Sequence, residues 1–137
     1  METILEPDEL LIAVHLPAPT PRSGTAYLKR RLRGVDTAIV GAGVGLTLAK
    51  DGETCRDARI GLAGVGVTPE RARAAEAALI GRPLSDETIR AAARIAAEAC
   101  EPMTDTEATS WYRREMVAVF VRRAAEIALA RARGASK

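Results

Sequence analysis

The chain has 137 residues, enough for one domain, expected to span 1–137, with a real core and no need of disulfide or metal staples. Hydrophobic residues make up 47% of it but aromatics only 3%, so the core must be built from Leu, Ile, Val and Ala, and there is no aromatic platform for stacking exposed bases. A net charge of +2 is too slight to imply a nucleic-acid partner.

Two cysteines, Cys55 and Cys100, lie far apart without CxxC or Cys/His spacing, which argues against a structural zinc site and for reduced thiols in a cytosolic protein. No apolar run approaches the ~20 residues of a membrane span. The first residues, Met1 to Pro7, lack the basic start and apolar stretch of a signal peptide. The chain is therefore expected to be soluble and cytoplasmic.

The first half reads as strands. Leu10 to Leu16 is an apolar run closed by Pro17, and Pro19 and Pro21 extend a stiff connection that cannot pair in a central strand. Thr25 to Arg31 is a second predicted strand. Ala38 to Leu48, rich in Val, Ile and Gly, is a third, and it runs into Lys50-Asp51-Gly52-Glu53. Asp-Gly between apolar runs is a strong hairpin signal, so Cys55 to Val65 is the returning strand of an antiparallel meander.

The second half reads as helices. Thr68 as N-cap, Pro69 at the first helical position, Glu70 in the first turn and Gly81 past the end bound a helix with Ala72, Ala75, Ala78 and Leu79 on its apolar side. Pro83 and Ser85 open another, with Asp86 and Glu87 in the positive first turn. It carries Ile89, Ala92, Ala93 and Ala96 inward, with Ile95 off the main stripe, and ends at Cys100 and Pro102. A third is predicted from about Ser110 to Arg131. Tyr112, Met116, Val119, Phe120, Ala124 and Ile127 form its apolar stripe, and the arginines at 113, 114, 122, 123, 131 and 133 cover the rest. Strands first and helices second predict an α+β fold: one antiparallel sheet with helices packed on one face.

Gly41-Ala42-Gly43-Val44-Gly45-Leu46 superficially resembles a dinucleotide fingerprint. That motif requires a final glycine and a following helix whose free N–H groups meet the pyrophosphate. Here Leu46 takes the last position and an Asp-Gly turn follows, so these glycines are expected to thin the sheet where helices approach. Gly61, Gly64 and Gly66 do precede a predicted helix. Pro69 removes one N–H there, however, and no Lys or Ser/Thr follows as in a P-loop. They read as bulge or positive-φ positions.

His15, the single histidine, is expected to face solvent from a strand and has no identifiable catalytic partners. The carboxylate pairs Asp86/Glu87 and Asp105/Glu107 are accounted for by helix starts. Lys29 to Asp36 concentrates charge in a predicted inter-strand connection. It reads equally as a solvated loop or as a cationic rim facing a carboxylate, a phosphate or an electron-rich ring. No self-sufficient active site emerges.

Taken in order, Pro7-Asp8-Glu9-Leu10-Leu11, Leu16-Pro17, Tyr27-Leu28-Lys29, Arg33 and Asp36-Thr37-Ala38 resemble the C-terminal domain of the FAD-binding medium subunit of molybdenum hydroxylases, the family of carbon monoxide dehydrogenase and xanthine dehydrogenase. Cys55 to Ile60, Gly64 to Pro69, Arg71-Ala72 and Trp111 to Met116 extend the likeness from about Ile4 to Ala130. The resemblance implies a sheet flanked by helices that covers one side of the flavin. In such enzymes a molybdenum-cofactor large subunit oxidises substrate, an iron–sulfur small subunit relays electrons, and the flavin passes them to an acceptor. By position, Leu11 resembles the strand residue lying against the flavin through its backbone. Lys29 resembles the lysine near the isoalloxazine ring, and Arg30 to Asp36 match the loop beside that ring.

The glycine-rich loops that hold the FAD pyrophosphate belong, in that family, to the preceding domains, and nothing like them occurs here. Alone, the chain is expected to bind FAD weakly or not at all and to complete a site formed mainly by FAD-binding N-terminal domains or a separate subunit. Three origins stay open: a separately encoded piece, a truncated product, or a domain recruited to another task. A non-catalytic interaction or assembly module with the same fold is the second expectation. A free-standing nucleotide-binding enzyme is disfavoured with the glycine runs.

Overall fold

A computed structural model describes residues 5–31 and 37–134. Four strands, Ser23–Arg31 (β1), Ala38–Leu48 (β2), Cys55–Ala63 (β3) and the two-residue Glu70–Arg71 (β4), form one antiparallel sheet in sequence order. Three helices follow: Arg73–Leu79 (α1), Asp86–Ala99 (α2) and Ser110–Ala132 (α3). The α+β expectation holds, with all helices on one face.

The β2–β3 hairpin follows from local chemistry. Asp51 accepts hydrogen bonds from the N–H groups of Glu53 and Thr54 (both 2.9 Å) and from the Thr54 hydroxyl (2.6 Å), and Gly52 takes φ +76°. Helix α2 begins where Ser85 Oγ accepts the Thr88 N–H (3.1 Å), and α3 where Thr109 Oγ1 accepts the Tyr112 N–H (3.2 Å).

Alternation along the strands sends Val40, Ala42, Val44 and Leu46 of β2 and Ala58, Ile60 and Leu62 of β3 into the core beneath the helices. α3 lies across β1 and β2, α1 lies on β3, and α2 packs onto both helices. Each of the valine, leucine and isoleucine side chains among them contributes about 1.5–3 kcal/mol for full burial, and each alanine methyl less, about 0.8 kcal/mol.

Four expectations are corrected. Leu10 to Leu16 is not a strand of this sheet: residues 9–20 carry no regular structure and are exposed, and the fourth strand is Glu70–Arg71. Pro17, Pro19 and Pro21 keep the segment from folding back on β1 as a hairpin. The helix expected from Thr68 begins instead at Arg73, because Glu70 and Arg71 pair with Leu62 and Gly61 on the edge of β3. That edge pairing outweighs the capping signals at Thr68 and Pro69.

The buried stripe of α3 is Arg113, Val117, Val121, Ala124, Ala125, Ala128, Leu129 and Ala132, rotated from the predicted one. Tyr112, Met116 and Phe120 are only partly buried, and Ile127 is exposed. Last, Gly41, Gly43 and Gly45 lie on the face away from the helices. The glycine that admits a helix is Gly24, where a Cβ would stand 2.1 Å from the Ala128 carbonyl oxygen of α3.

Candidate functional site

The face of the sheet opposite the helices is open. Pairing puts Lys29, Gly41 and Ala63 in one row across the strands, Tyr27, Gly43, Gly61 and Arg71 in the next, and Thr25, Gly45 and Arg59 in a third. The Tyr27 ring leans over β2: a Cβ on Gly41 would meet its hydroxyl oxygen at 2.6 Å, so a larger residue there would make the exposed ring swing aside. A Cβ on Gly61 would meet nothing within 4 Å. The result is a shallow hollow of about 510 Å³ with a backbone floor, Tyr27 on one side and Arg59 and Arg71 on the other.

Lys29 stands half-buried on this open face, on the β1 row next to Tyr27. Leu11 lies apart from the sheet, in the exposed segment without regular structure, and His15 is exposed there as well rather than on a strand. The remainder of the charged connection, Leu32 to Asp36, lies outside the described residues, while Arg30 and Arg31 end β1. Among the described residues, no group of three or more His, Cys, Asp or Glu side chains is placed to hold a metal ion, and no helix is long and apolar enough to cross a membrane.

Sequence reasoning missed the residue that braces this end of the sheet. The sequence pattern puts Arg113 on the solvent-facing side of α3, yet it is 6% exposed. Between Arg30 and Arg31 the β1–β2 register slips, since Arg30 faces Val40 and Arg31 faces Ala38, leaving Ile39 as the extra residue of a bulge. Arg113 Nη1 donates a short hydrogen bond to the Ile39 carbonyl and another to the Gly64 carbonyl (3.2 Å), and Nη2 donates to Asp105 Oδ2 (2.6 Å). Gly64 takes φ +75°, as its sequence context suggested, and a Cβ there would stand 2.6 Å from the Ile39 carbonyl oxygen.

One guanidinium thus ties the start of β2, the exit of β3 and the lead-in to α3. The arrangement fixes the strand ends from which the Lys29 row and the charged connection spring. The available signal was the small-residue stripe of α3: extended back by four from Val117, it reaches Arg113.

Asp105 therefore does more than sit near a helix start. The Arg113 guanidinium, with the N–H groups of Ala108 and Glu107, holds its carboxyl down at about 2. On the opposite edge, Glu76 is buried, which pushes its pKa up. Hydrogen bonds from Arg71 (2.6 and 2.8 Å) and from the Ile60 N–H (2.8 Å) outweigh this and bring it below the usual carboxylate range. The pair anchors α1 to β3 and sets Arg71 at the rim of the hollow. Both cysteines are free and buried.

The open face suits a planar or elongated group lying against backbone, with cations at the margin. It does not suit a phosphate: β2 is the strand between β1 and β3, so its glycine N–H groups belong to the ladders rather than to a helix N-terminus.

Comparison with known proteins places the fold in a family. Residues 25–128 match the CO dehydrogenase flavoprotein C-terminal domain. The carbon monoxide dehydrogenase medium chain of Afipia carboxidovorans is 37% identical over 131 residues, which cover 96% of this chain and 45% of that one. Subunit alpha of the 6-hydroxypseudooxynicotine dehydrogenase complex of Paenarthrobacter nicotinovorans is 36% identical, over 93% of this chain and 43% of its own length. The solved structure of reconstituted CO dehydrogenase from Oligotropha carboxidovorans superposes with a TM-score of 0.82 at 37% identity, covering 94% of this chain and 44% of that one. The chain spans less than half the length of these relatives. It belongs to the CO dehydrogenase flavoprotein C-terminal domain family.

Proposed function

We propose that this chain is the domain that closes over one side of FAD in the flavoprotein of a molybdenum hydroxylase-type oxidoreductase, and that residues 1–137 act as one domain in that role. The observation that carries this reading is the 37% identity to a carbon monoxide dehydrogenase medium chain across 96% of the chain. The residues at hand fit the ring side of the cofactor and not its phosphate side. Lys29, beside Tyr27 on an open glycine-floored face, offers a cation where the isoalloxazine would lie, and Leu11 offers backbone contact from the exposed segment ahead of β1.

FAD supplies the electron-transfer chemistry, receiving electrons from iron–sulfur clusters and handing them to an acceptor. The part of this chain is to orient, to shield from water and to place charge. A lysine ammonium near the ring favours its more negative form. Phosphate binding falls to FAD-binding N-terminal domains or a separate subunit, and the further partners are a molybdenum-cofactor large subunit and an iron–sulfur small subunit.

The test is gentle purification of the tagged chain from its source cells, followed by mass spectrometry and flavin absorbance. Recovery with a FAD-containing partner and molybdenum and iron–sulfur subunits supports the reading, and Lys29→Ala should then weaken flavin retention and slow turnover of the complex. A colourless chain alone, or a complex indifferent to Lys29→Ala, would favour the assembly-module alternative.

A further inference from the structure

We propose that Arg113 is a positioning residue for Lys29: by holding the bulge at Ile39, it sets where the lysine ammonium stands against the flavin. The inference rests on the flavoprotein role above and adds to it a buried residue of the helix layer. It starts from a break in alternation. Ile39 and Val40 are consecutive residues of β2, yet they are 2% and 0% exposed, so both turn into the core. A regular strand cannot send two neighbours to one face. The bulge makes it possible, and it keeps Gly41, Gly43 and Gly45 toward the open face. The Lys29–Gly41 pair is the second rung from the slip, with the Arg30–Val40 pair between.

This bulge is held at a cost. Arg113 Nη1 donates to the carbonyls of Ile39 and Gly64, while Nε of the same guanidinium is buried with no hydrogen-bond partner among the described residues. Burying a charge and leaving one of its donors unpaired is unfavourable, and an unbulged ladder would need no cation beneath it. Gly64 contributes φ +75° and the absence of a Cβ, which would stand 2.6 Å from the Ile39 carbonyl oxygen. Departures of this kind from local rules belong to functional sites, and a bulge beside a site re-aims the side chains next to it.

Lys29 is the side chain with a cofactor role nearest to this bulge. A change of about 15° in local twist swings an ammonium ~6 Å out from the strand by about 1.5 Å. At an effective dielectric of about 20, moving one unit charge from about 4 to about 5.5 Å from another weakens its preference about sevenfold. Arg113 thus bears on the flavin without touching it.

A double-mutant cycle on the flavin-containing complex from its source cells tests this, read by the rate of FAD release and by the potential of the bound flavin. Lys29→Ala should speed release and lower the potential, since a cation is lost beside the more negative form. Arg113→Met should speed release by about threefold to tenfold and lower the potential in the same sense. Arg113→Lys, which keeps a donor for one carbonyl, should do less. In the Lys29→Ala background, Arg113→Met should add nothing to either readout. Gly24→Ala is the stability control: it loosens α3 at Ala128, ~22 Å along the helix from Arg113, and should leave both readouts unchanged. A complex in which Lys29→Ala acts and Arg113→Met does not overturns the positioning role and leaves the flavoprotein role standing. Additive effects of the two, or a Gly24→Ala effect as large as that of Arg113→Met, do the same. A FAD-containing complex indifferent to Lys29→Ala refutes the cofactor role of the lysine and the inference with it. Failure to recover any flavin-containing complex removes both.

Discussion

Arg113→Met removes the guanidinium that holds three segments together while keeping an apolar stem of similar length. The Ile39 carbonyl is the costly loss. It sits in a bulge, outside the regular β1–β2 ladder, and is left buried without a donor, which costs about 1–3 kcal/mol. The Gly64 carbonyl borders a hollow of about 160 Å³ that water can enter, so its loss is closer to the ~1 kcal/mol of an ordinary hydrogen bond. Asp105 is half-exposed and is taken over by solvent.

The sum is about 2–4 kcal/mol, a large part of the ~5–15 kcal/mol that holds a domain together. For a chain of this size it lowers the melting temperature by roughly 6–20 °C. Urea and thermal unfolding of both proteins, followed by circular dichroism, measure it directly. Asp105→Asn should cost less than Arg113→Met, since the carbonyls and not the ion pair carry the term. A loss below about 1 kcal/mol for Arg113→Met, or a larger loss for Asp105→Asn, would refute the bracing role assigned to the buried guanidinium.

Gly24→Ala places a methyl 2.1 Å from the Ala128 carbonyl oxygen and must push α3 off the sheet, for a loss of about 1–3 kcal/mol in urea unfolding. Gly61→Ala meets nothing within 4 Å, and removing a mid-strand glycine should leave stability unchanged or raise it by about 0.5–1 kcal/mol. Asp51 and Asp105 are both held at about 2 against a usual 3.8, so their contribution is complete above pH 4 and disappears as pH falls from 4 through 2. Urea midpoints should drop across that window, and less steeply in Asp51→Asn and Asp105→Asn. Burial, with the nearby Asp57 charge, pushes the Cys55 thiol up to about 11, and burial raises Cys100 as well. A disulfide reagent at pH 8 should therefore label neither until the chain unfolds, and rapid labelling of the native protein would contradict this burial.

Elements specified by neighbouring residues were legible in the sequence, and those specified by distant ones were not. Asp51-Gly52, the Ser85 cap and the ends of α3 are each settled within a few positions, and the structure keeps them. Thr68-Pro69-Glu70 carries an equally local helix signal, but the edge of β3 offers Glu70 and Arg71 ladder bonds and Glu76 as an anchor, and tertiary pairing wins. The phase of α3 was misjudged because hydrophobicity favours Tyr112, Met116 and Phe120. The sheet beneath, with Gly24, Ala26 and Ala42 on its helix side, selects instead by size, and only an alanine stripe allows the approach that the Gly24–Ala128 contact requires. The same stripe carries Arg113 into the core, where a bulge carbonyl no periodicity could reveal was waiting for a donor.

Leu10 to Leu16 is the opposite case, since its residues specify a strand and the chain supplies no place for it. Where local pattern and tertiary structure agree everywhere else on a sheet, as they do for β1 to β3, a strand-patterned segment left in solvent is a disagreement with a direction. Propensity, alternation and the closing Pro17 all specify pairing, yet among the described residues no backbone hydrogen bond engages 10–16 and the run stays exposed. On the open face that carries Lys29, by contrast, pattern and pairing agree: the glycines alternate toward it, and their N–H groups belong to the ladders of the sheet.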